Sequence, residues 1–370
     1  MTSVAVLCFL LVLSEFLPIG LLPQISAGVG ISTGTAGLMI VTPGLIAAVT
    51  APLVTIAAGR RDRRHVLIIL SGLLAASNAL VAVTPNLEVL LFARILLGVA
   101  VGGFWALGIG IAVRLVPADT VDRASSVITA GISAATVISL PLGALIGHLV
   151  GWRVGFLGAA LAALLALVSL VALLPALPPS ASVGMAALTA AARRSGVRRV
   201  ALATVLVFLG HFASYTYITP FLQESAHFGY PAITVTLLGY GLGGLVGNFV
   251  AGAALGRGVR RSFVAATVPL AFAVALLAPL AGVAPLVSAL VVLWGLAFGA
   301  VPLILQTWMA RAATDGPEGG MAILVSASQI SIAAGSLAGG VLVDGVGTGA
   351  TFAAATVLIL CSAVVPLRTR

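Results

Sequence analysis

The chain has 370 residues, of which 61% are hydrophobic and only 7% are charged, and its mean hydropathy is +1.24. A water-soluble domain contains about 45–50% apolar residues, so this composition excludes a soluble globular protein and indicates a membrane protein. The formal net charge is +9, and the 18 cationic residues are all arginines that lie singly or in short clusters between apolar runs. That distribution is typical of charges that fix membrane topology, and it argues against a nucleic-acid partner.

Apolar runs of about 20 residues follow one another along the chain, and each could cross a hydrocarbon core of about 30 Å as a helix. The predicted spans are residues 3–23, 37–58, 66–84, 89–113, 124–148, 154–174, 200–221, 233–255, 263–281, 285–309, 321–343 and 349–367. The fold class predicted from them is an all-α polytopic membrane protein with about twelve transmembrane helices.

The first run differs from a signal peptide, because no basic residues precede it and Glu15 interrupts it. The chain begins almost inside this span, which indicates either a missing short tail or a misassigned start codon. Nearly all loop arginines fall on one side of the membrane when the loops are numbered alternately; Arg153 lies opposite and Arg94 lies within a span. By the positive-inside rule, both termini are predicted to be cytoplasmic in a multi-pass protein of the inner or plasma membrane.

Two loops share a pattern of one glycine and three arginines at an offset of 197 residues: Gly59, Arg60, Arg63 and Arg64 recur as Gly256, Arg257, Arg260 and Arg261. At the same offset Gly98 meets Gly295 and Arg114 meets Arg311. With six spans in each half, the halves are parallel repeats that insert in the same orientation. The predicted domains are a six-helix bundle over 1–174, a Pro-rich and basic cytoplasmic linker over 175–199, and a second six-helix bundle over 200–370.

The segment GRRDRRHVLI, which begins at Gly59, resembles the signature loop of the major facilitator superfamily. FARILLGVAVGGFWALG (92–108) resembles the fourth helix of that superfamily, with Arg94 in the place of its buried arginine. The resemblance implies that the loop of Gly59, and its repeat in the second half, act as gates on the cytoplasmic side.

SLPLGALIGHLVGWR (139–153) resembles the fifth helix of the antiporters in this superfamily, whose motif falls here on Pro141, Gly143 and Gly147. Other segments, among them SEFLPIGLLPQI and YTYITPF, resemble the drug/proton antiporter branch, and within it the purine ribonucleoside efflux pumps and the arabinose-type efflux proteins. The resemblance implies a proton-coupled antiporter that exports a small molecule such as a purine nucleoside or an analogue. A multidrug or sugar exporter, or an uptake symporter, is the alternative.

Two positions depart from the superfamily pattern. The acidic residue that usually precedes the first arginine of the signature loop is replaced by Gly59, so Asp62 either substitutes for it or serves as a charge partner of its neighbours. In the fifth helix, Leu140 stands where a glycine usually precedes Pro141. These departures weaken the expected cytoplasmic lock and the leak-blocking role of the fifth-helix motif.

Glu15 is the one carboxylate deep within a predicted span, and Arg94 lies at a similar depth when residues are counted at about 1.5 Å each. A charged group at that depth costs roughly 2.5–3.5 kcal/mol, so it faces a cavity, pairs with a partner or becomes neutral. The two side chains could pair. We predict that they carry the coupled proton, with a static structural ion pair as the alternative.

His211 lies at a similar depth in the seventh span, where it could bind substrate, relay protons or be held by a neighbouring hydroxyl. The other candidate substrate-binding residues are the aromatic residues Phe104, Trp105, Tyr215 and Tyr217, and the amide Gln306. Aromatic rings with an amide suit a purine, since stacking contributes about 1–3 kcal/mol per base, and they would also suit many drugs.

A secondary carrier explains these features better than a membrane enzyme, because no HExxH, GxSxG or paired intramembrane carboxylates occur in the sequence. A channel or a sensor remains a further alternative. The absence of lysine excludes a Walker motif and therefore ATP-driven transport by this chain alone. We expect no metal, and no cofactor other than the proton as coupling ion. The expected partners are membrane lipids and a small-molecule substrate, and the protein is expected to be a monomer.

Overall fold

The computed structural model describes residues 2–58, 62–115, 121–177, 185–314 and 317–367. Every regular element within these ranges is helical. Twelve long helices, named α1 to α12 here, run over Thr2–Val29, Leu38–Ala58, Arg63–Val83, Leu87–Leu115, Val121–Leu149, Trp152–Leu173, Ser195–Tyr215, Tyr230–Ala254, Val259–Leu277, Ala284–Ala312, Pro317–Val346 and Thr348–Val364. All twelve are long and apolar enough to cross a membrane. The predicted all-α fold with about twelve transmembrane helices is therefore confirmed.

Short helical segments join the long helices. They are Thr33–Ala36, Met185–Arg193, Ile218–Pro220, the π turn Phe221–Ser225, and the 3₁₀ turns Leu255–Arg257 and Val365–Leu367. Part of the segment predicted as a linker over 175–199 is thus helical, and its last residues already belong to α7. We call the end of the bundle where odd-numbered helices begin the basal end, and the opposite end the distal end.

The seventh predicted span, 200–221, is broken in the structure. Its long helix ends at Tyr215, and Thr216 and Tyr217 form a turn before the short helix Ile218–Pro220. Pro220 lacks an N–H group, and its ring would clash with the carbonyl of Thr216 four residues earlier. The turn is fixed by Ser336 of α11, whose hydroxyl lies 2.7 Å from the Thr216 hydroxyl.

The packing of the first six helices recurs in the last six. The contacts of α1 with α5, of α2 with α4 and of α3 with α6 have counterparts in α7 with α11, α8 with α10 and α9 with α12. Helices α2 and α11 pack together across the two sets, and so do α5 and α8. Tight turns at Gly151 (φ 91°) and Gly347 (φ 88°), which glycine adopts readily, start α6 and α12 in corresponding places.

Candidate functional site

Glu15 lies in the middle of α1, facing the second set of helices, and is only 4% exposed. Its Oε1 accepts a long hydrogen bond of 3.5 Å from Nε2 of Gln329 in α11. The Oε1 of Gln329 is itself buried without a hydrogen-bond partner. A carboxyl group and an amide from opposite halves of the chain therefore meet in the interior, and this contact must change if the halves separate.

Arg94 in α4 is fully buried and binds the backbone of α1. Its Nη1 donates a hydrogen bond of 2.9 Å to the carbonyl of Ser14. That carbonyl is available because Pro18, four residues later in the same helix, has no N–H group to donate to it. The guanidinium also lies 5.2 Å from the ring centre of Phe156 in α6. A proline in α1 thus creates the site that holds the buried arginine.

The direct pair of Glu15 and Arg94 that depth counting allowed is not formed in this conformation. The Nε and Nη2 atoms of Arg94 are buried without a hydrogen-bond partner. The positive charge of the guanidinium therefore acts on Glu15 without a hydrogen bond between the two side chains. Depth along a helix does not specify the direction of a side chain, and Arg94 is directed to the backbone of α1. Sequence reasoning missed this partner, although the spacing of Ser14 and Pro18 signals a free carbonyl.

Asn78 in α3 extends the polar contacts of the first half. Its Nδ2 donates to Oγ of Ser14 at 2.9 Å, while its Oδ1 is buried without a hydrogen-bond partner. Ser14 therefore receives one hydrogen bond on its hydroxyl and another on its carbonyl. Buried polar atoms without partners are uncommon in proteins, and here they cluster around one turn of α1.

His211 in α7 is fully buried and oriented by Trp294 in α10. The indole Nε1 donates a hydrogen bond of 3.0 Å to Nδ1 of His211. A ring nitrogen that accepts a hydrogen bond carries no proton, so the network assigns the proton of the neutral ring to Nε2. That Nε2 is buried without a hydrogen-bond partner. The ring is therefore a donor directed into the interior with nothing to accept from it, and the hydroxyl partner considered from the sequence is not found at either nitrogen.

Aromatic rings surround His211. Phe298 stacks on it with centroids 3.3 Å apart, and Tyr215 lies on it at 4.8 Å. The ring of Tyr240 in α8 lies 4.9 Å from the ring of Tyr215, measured between centroids. These rings fill the space around the histidine, so in this conformation the cluster is packed. Phe298 and Tyr240 were not among the sequence-predicted site residues.

A stacked pair connects this cluster to α1. Phe16, next to Glu15, lies 6.0 Å from Phe212, which is next to His211. The carboxyl group of the first half and the aromatic cluster of the second half are thus neighbours through one ring contact. The structure brings Glu15, His211 and Tyr215 into one interior region.

The remaining predicted substrate-binding residues lie apart from that region. Phe104 is buried in the core of the first half, with Trp105 edge-on at 6.1 Å. Gln306 is exposed and is not part of the aromatic cluster. The hydroxyl of Tyr217 donates to the carbonyl of Ser336 at 2.7 Å, so it is already bound in the turn after α7. A substrate role for these four residues stays a prediction, and for Tyr217 the geometry favours a structural one.

Asp62 begins α3 as its N-terminal cap. Its Oδ1 accepts hydrogen bonds from the backbone N–H groups of Arg64 at 2.8 Å and Leu177 at 2.9 Å. These two bonds, first that of Arg64, hold the pKa of Asp62 below its ordinary value. The structure thus shows Asp62 as a helix cap, with the charges of His65 and Arg64 also acting on it. The two roles considered from the sequence stay predictions.

The described arginines of the predicted gating loops lie at the basal end. Arg63 begins α3, and Arg64 reaches the carbonyl of Val171 in α6 at 2.7 Å. Gly59 and Arg60 lie outside the described residues. In the second half, Gly256 and Arg257 form a 3₁₀ turn, and Arg260 and Arg261 follow in the first turn of α9.

The glycines of the fifth-helix motif let α5 approach α1. A Cβ atom on Gly143 would lie 2.8 Å from the carbonyl oxygen of Leu17, and one on Gly147 would lie 2.6 Å from a methyl carbon of Leu21. Pro141 lies within α5, before both glycines. This motif holds α1, and with it Glu15, close to α5.

The two halves are joined at the distal end. The Asp344 carboxylate at the end of α11 accepts from the hydroxyl of Ser32 at 2.5 Å and from the backbone N–H of Gly34 at 2.8 Å. The rings of His148 in α5 and Tyr230 in α8 stack with centroids 4.3 Å apart. The interior region around Glu15 is therefore closed off on this side.

The arrangement described so far is a pair of repeated six-helix sets, joined through α2 with α11 and α5 with α8, around an interior acid. A family model described as Major Facilitator Superfamily matches residues 4–318 and 200–370. The chain belongs to the major facilitator superfamily. The predicted resemblance is thereby confirmed, and the protein is a multi-pass membrane transporter rather than an enzyme.

Three relatives illustrate this membership of the superfamily. The purine ribonucleoside efflux pump NepI of Salmonella paratyphi C is 34% identical over 96% of this chain and 89% of its own length. NepI of Escherichia coli is 33% identical over 100% of this chain and 93% of its own. A protein named transcription regulatory protein OpdE, from Pseudomonas aeruginosa, is 35% identical over 99% of this chain and 92% of its own.

Among solved structures, the crystal structure of the human organic anion transporter MFSD10 (TETRAN) matches with a TM-score of 0.71. The match covers 99% of this chain and 97% of that chain at 20% identity. At that identity the likeness concerns the fold alone. It agrees with the superfamily fold that the helix packing displays.

Proposed function

We propose that this superfamily member is a proton-coupled antiporter that exports a purine nucleoside or a related analogue across the cell membrane, with both termini in the cytoplasm. The observation that carries the coupling is the contact of Glu15 with Gln329 across the two halves. An ionised carboxylate is costly in that closed interior and is solvated once water reaches it. Separation of the halves therefore changes the free energy of protonating Glu15, which is the requirement for coupling.

The substrate class is supported by the NepI relatives and by the cluster around His211. A purine presents ring nitrogens and carbonyl oxygens that accept hydrogen bonds, and the Nε2–H of His211 is a buried donor without an acceptor. The rings of Phe298 and Tyr215 offer stacking surfaces for a base once the packed cluster opens. Export is supported by the same relatives and by the antiporter motif on α5.

The conformation described fits one step of such a cycle. With the basal end in the cytoplasm, the bonds of Asp344 with Ser32 and Gly34 close the side that faces outward. Proton entry from outside then requires these bonds to break. Gln329 is the first group that Glu15 would lose as α11 moves away.

Transport by the purified protein in proteoliposomes tests the proposal. We expect a pH gradient to drive accumulation of inosine, and Glu15→Gln to abolish accumulation while inosine exchange without a gradient is partly retained. The matched control is Glu88→Gln, which removes an exposed carboxylate at the start of α4 and should leave accumulation unchanged. Full gradient-driven accumulation by the Glu15→Gln variant would contradict proton coupling through this residue.

Competing substrates separate the alternatives. Arabinose and a lipophilic cation are compared with inosine in the same vesicles. Preference for the sugar or the cation would assign the protein to a sugar or multidrug exporter. If substrate accumulates only when protons and substrate cross the membrane in the same direction, the protein would be an uptake symporter.

A further inference from the structure

A cavity of about 490 Å³ opens at the basal end of the second half. It lies where α7 and α9 begin and α10 ends. Small residues line it, together with four arginines and one tryptophan. These five are Arg257, Arg260, Arg261, Arg311 and Trp308. Glu15 and His211, the central residues of the transport site, do not line it. It is thus a separate concave surface with strong positive charge.

None of the described carboxylates lines this cavity. The structure describes the side chains of five acidic residues, and none of the five lines the cavity: Glu15, Asp62, Glu88, Glu224 and Asp344. Like charges held in one concave surface raise the local potential and attract a counter-ion. Asp315 and Glu318 follow Arg311 in the sequence, and their side chains lie outside the described residues.

Two helix N-termini add to the positive potential. Helix α7 begins after Arg194 and α9 after Gly258, and neither residue caps its helix with a side-chain hydrogen bond. The first N–H groups of a helix and its dipole both favour an anion. The C-terminal end of α10, which carries a negative partial charge, also lies at the cavity. That charge is offset by Arg311 in the last turn and by the N–H of Ala313, which donates to the carbonyl of Met309 at 2.9 Å.

The first half shows what occupies the corresponding place there. At the start of α3, the Asp62 carboxylate accepts two backbone N–H groups beside Arg63 and Arg64. At the repeat offset of 197 residues, the position of Asp62 is taken by Val259, which is 6% exposed. The first half therefore supplies its own anion at the helix start, and the second half has a valine there.

We propose that the cavity binds a phosphate group, which takes at the start of α9 the place that the Asp62 carboxylate holds at the start of α3. Guanidinium groups bind phosphate oxygens in pairs and keep their charge at all physiological pH values. The volume lies within the range of about 300–1,000 Å³ that is usual for small-molecule sites. Trp308, packed on Phe263 at 5.7 Å, gives an apolar wall for the carbon atoms attached to the phosphate. A phospholipid headgroup and a soluble phosphate ester share this chemistry.

Native mass spectrometry of the full-length protein in detergent tests the site. The probes are phosphatidylglycerol, phosphatidylcholine and inorganic phosphate as a competitor. We expect phosphatidylglycerol to be retained in preference to phosphatidylcholine, and Arg257→Gln with Arg261→Gln to weaken its retention by about tenfold or more. The matched control, Arg198→Gln with Arg199→Gln, removes the same charge from exposed positions in α7 that do not line the cavity, and should change retention by less than about twofold.

The competitor distinguishes the two sources. Displacement of phosphatidylglycerol by millimolar phosphate supports a site for soluble phosphate esters, and retention under the same conditions supports a lipid site. Equal losses in the two double variants would overturn the proposal, because basal charge in general would then explain binding. Retention that appears only in the Asp315→Asn, Glu318→Gln variant would also overturn it, because the chain's own carboxylates would then fill the cavity.

Discussion

Ser32, in the loop between α1 and α2, donates a hydrogen bond of 2.5 Å to the Asp344 carboxylate at the end of α11. The same carboxylate accepts from the backbone N–H of Gly34, so it caps the short helix Thr33–Ala36 from the opposite half of the chain. A carboxylate at a helix N-terminus is favoured by the free N–H groups and by the dipole. This contact closes the distal end and has to break before that end can open.

Asp344→Asn should favour opening of the distal end. The amide keeps one acceptor oxygen but loses the negative charge, so we expect the bond to weaken by about 0.5–1.5 kcal/mol, or about two- to tenfold in the open population. The measurement is the rate at which an impermeant maleimide labels Ala36→Cys, which is buried in the closed state, after Cys8 and Cys361 are replaced by serine.

The control for this experiment is Glu224→Gln, which removes another exposed distal carboxylate that belongs to the π turn after α7. Its labelling rate should equal that of the parent. Slower labelling in Asp344→Asn than in the parent would show that the carboxylate does not hold the distal end closed.

Pro18→Ala should change how Arg94 is held. Alanine supplies an N–H group that can bind the Ser14 carbonyl within α1, in competition with the guanidinium. Hydrogen bonds to charged groups contribute about 1.5–3 kcal/mol. The loss of stability caused by Arg94→Gln should therefore be smaller by about that amount in the Pro18→Ala variant than in the parent. Thermal unfolding of the two single variants and the double variant in detergent measures this coupling. Additive effects would mean that the carbonyl freed by Pro18 is not what stabilises Arg94.

His211 should carry its proton on Nε2. The donor Trp294 occupies Nδ1, so the ¹⁵N spectrum of histidine-labelled protein should show a neutral ring with protonated Nε2 for this residue. With four histidines in the chain, His211→Asn identifies the signal. Trp294→Phe removes the donor and should let both tautomers appear. A single Nδ1–H tautomer in the parent protein would contradict the orientation of the ring.

Gly299→Ala should destabilise the second half. The added Cβ in α10 would overlap with the backbone carbonyl of Gly244 in α8, and backbone cannot move aside without shifting the helix. Overpacking of this kind costs about 1–3 kcal/mol. The matched control is Gly252→Ala in α8, where no atom lies within 4 Å of the new Cβ, so the substitution should be neutral or stabilising. Equal unfolding temperatures for the two variants would show that the α8 and α10 contact tolerates a side chain.

Asp62→Ala should lower stability at neutral pH and have less effect in acid. The pKa of Asp62 is lower in the folded protein than its ordinary value, so its contribution is complete above the ordinary aspartate pKa of about 3.9 and is lost as the pH falls through the folded value. The unfolding temperatures of the parent and the variant should therefore converge below about pH 4. A difference that persists unchanged well below about pH 4 would assign the effect to packing rather than to the carboxylate cap.

The sequence by itself determined the number of spans, the two related halves and the membership of the superfamily. Hydrophobic runs, arginine positions and the offset between Gly59 and Gly256 are local patterns, and each helix satisfies its own backbone hydrogen bonds, so these features do not depend on neighbours. The break after Tyr215 was not predicted, since the predicted span 200–221 ran through it and through Pro220. The depth of Glu15 was likewise readable by counting residues.

The partners of the buried polar groups were decided only by the tertiary structure. Glu15 meets Gln329 and not Arg94, Tyr217 is bound to Ser336, and Gln306 is exposed. A run of apolar residues fixes the length of a spanning helix, but its rotation about its axis and the identity of its neighbours depend on how glycines and side chains of all the helices pack together. In a chain that is apolar on nearly every face, periodicity does not specify which face is turned inward.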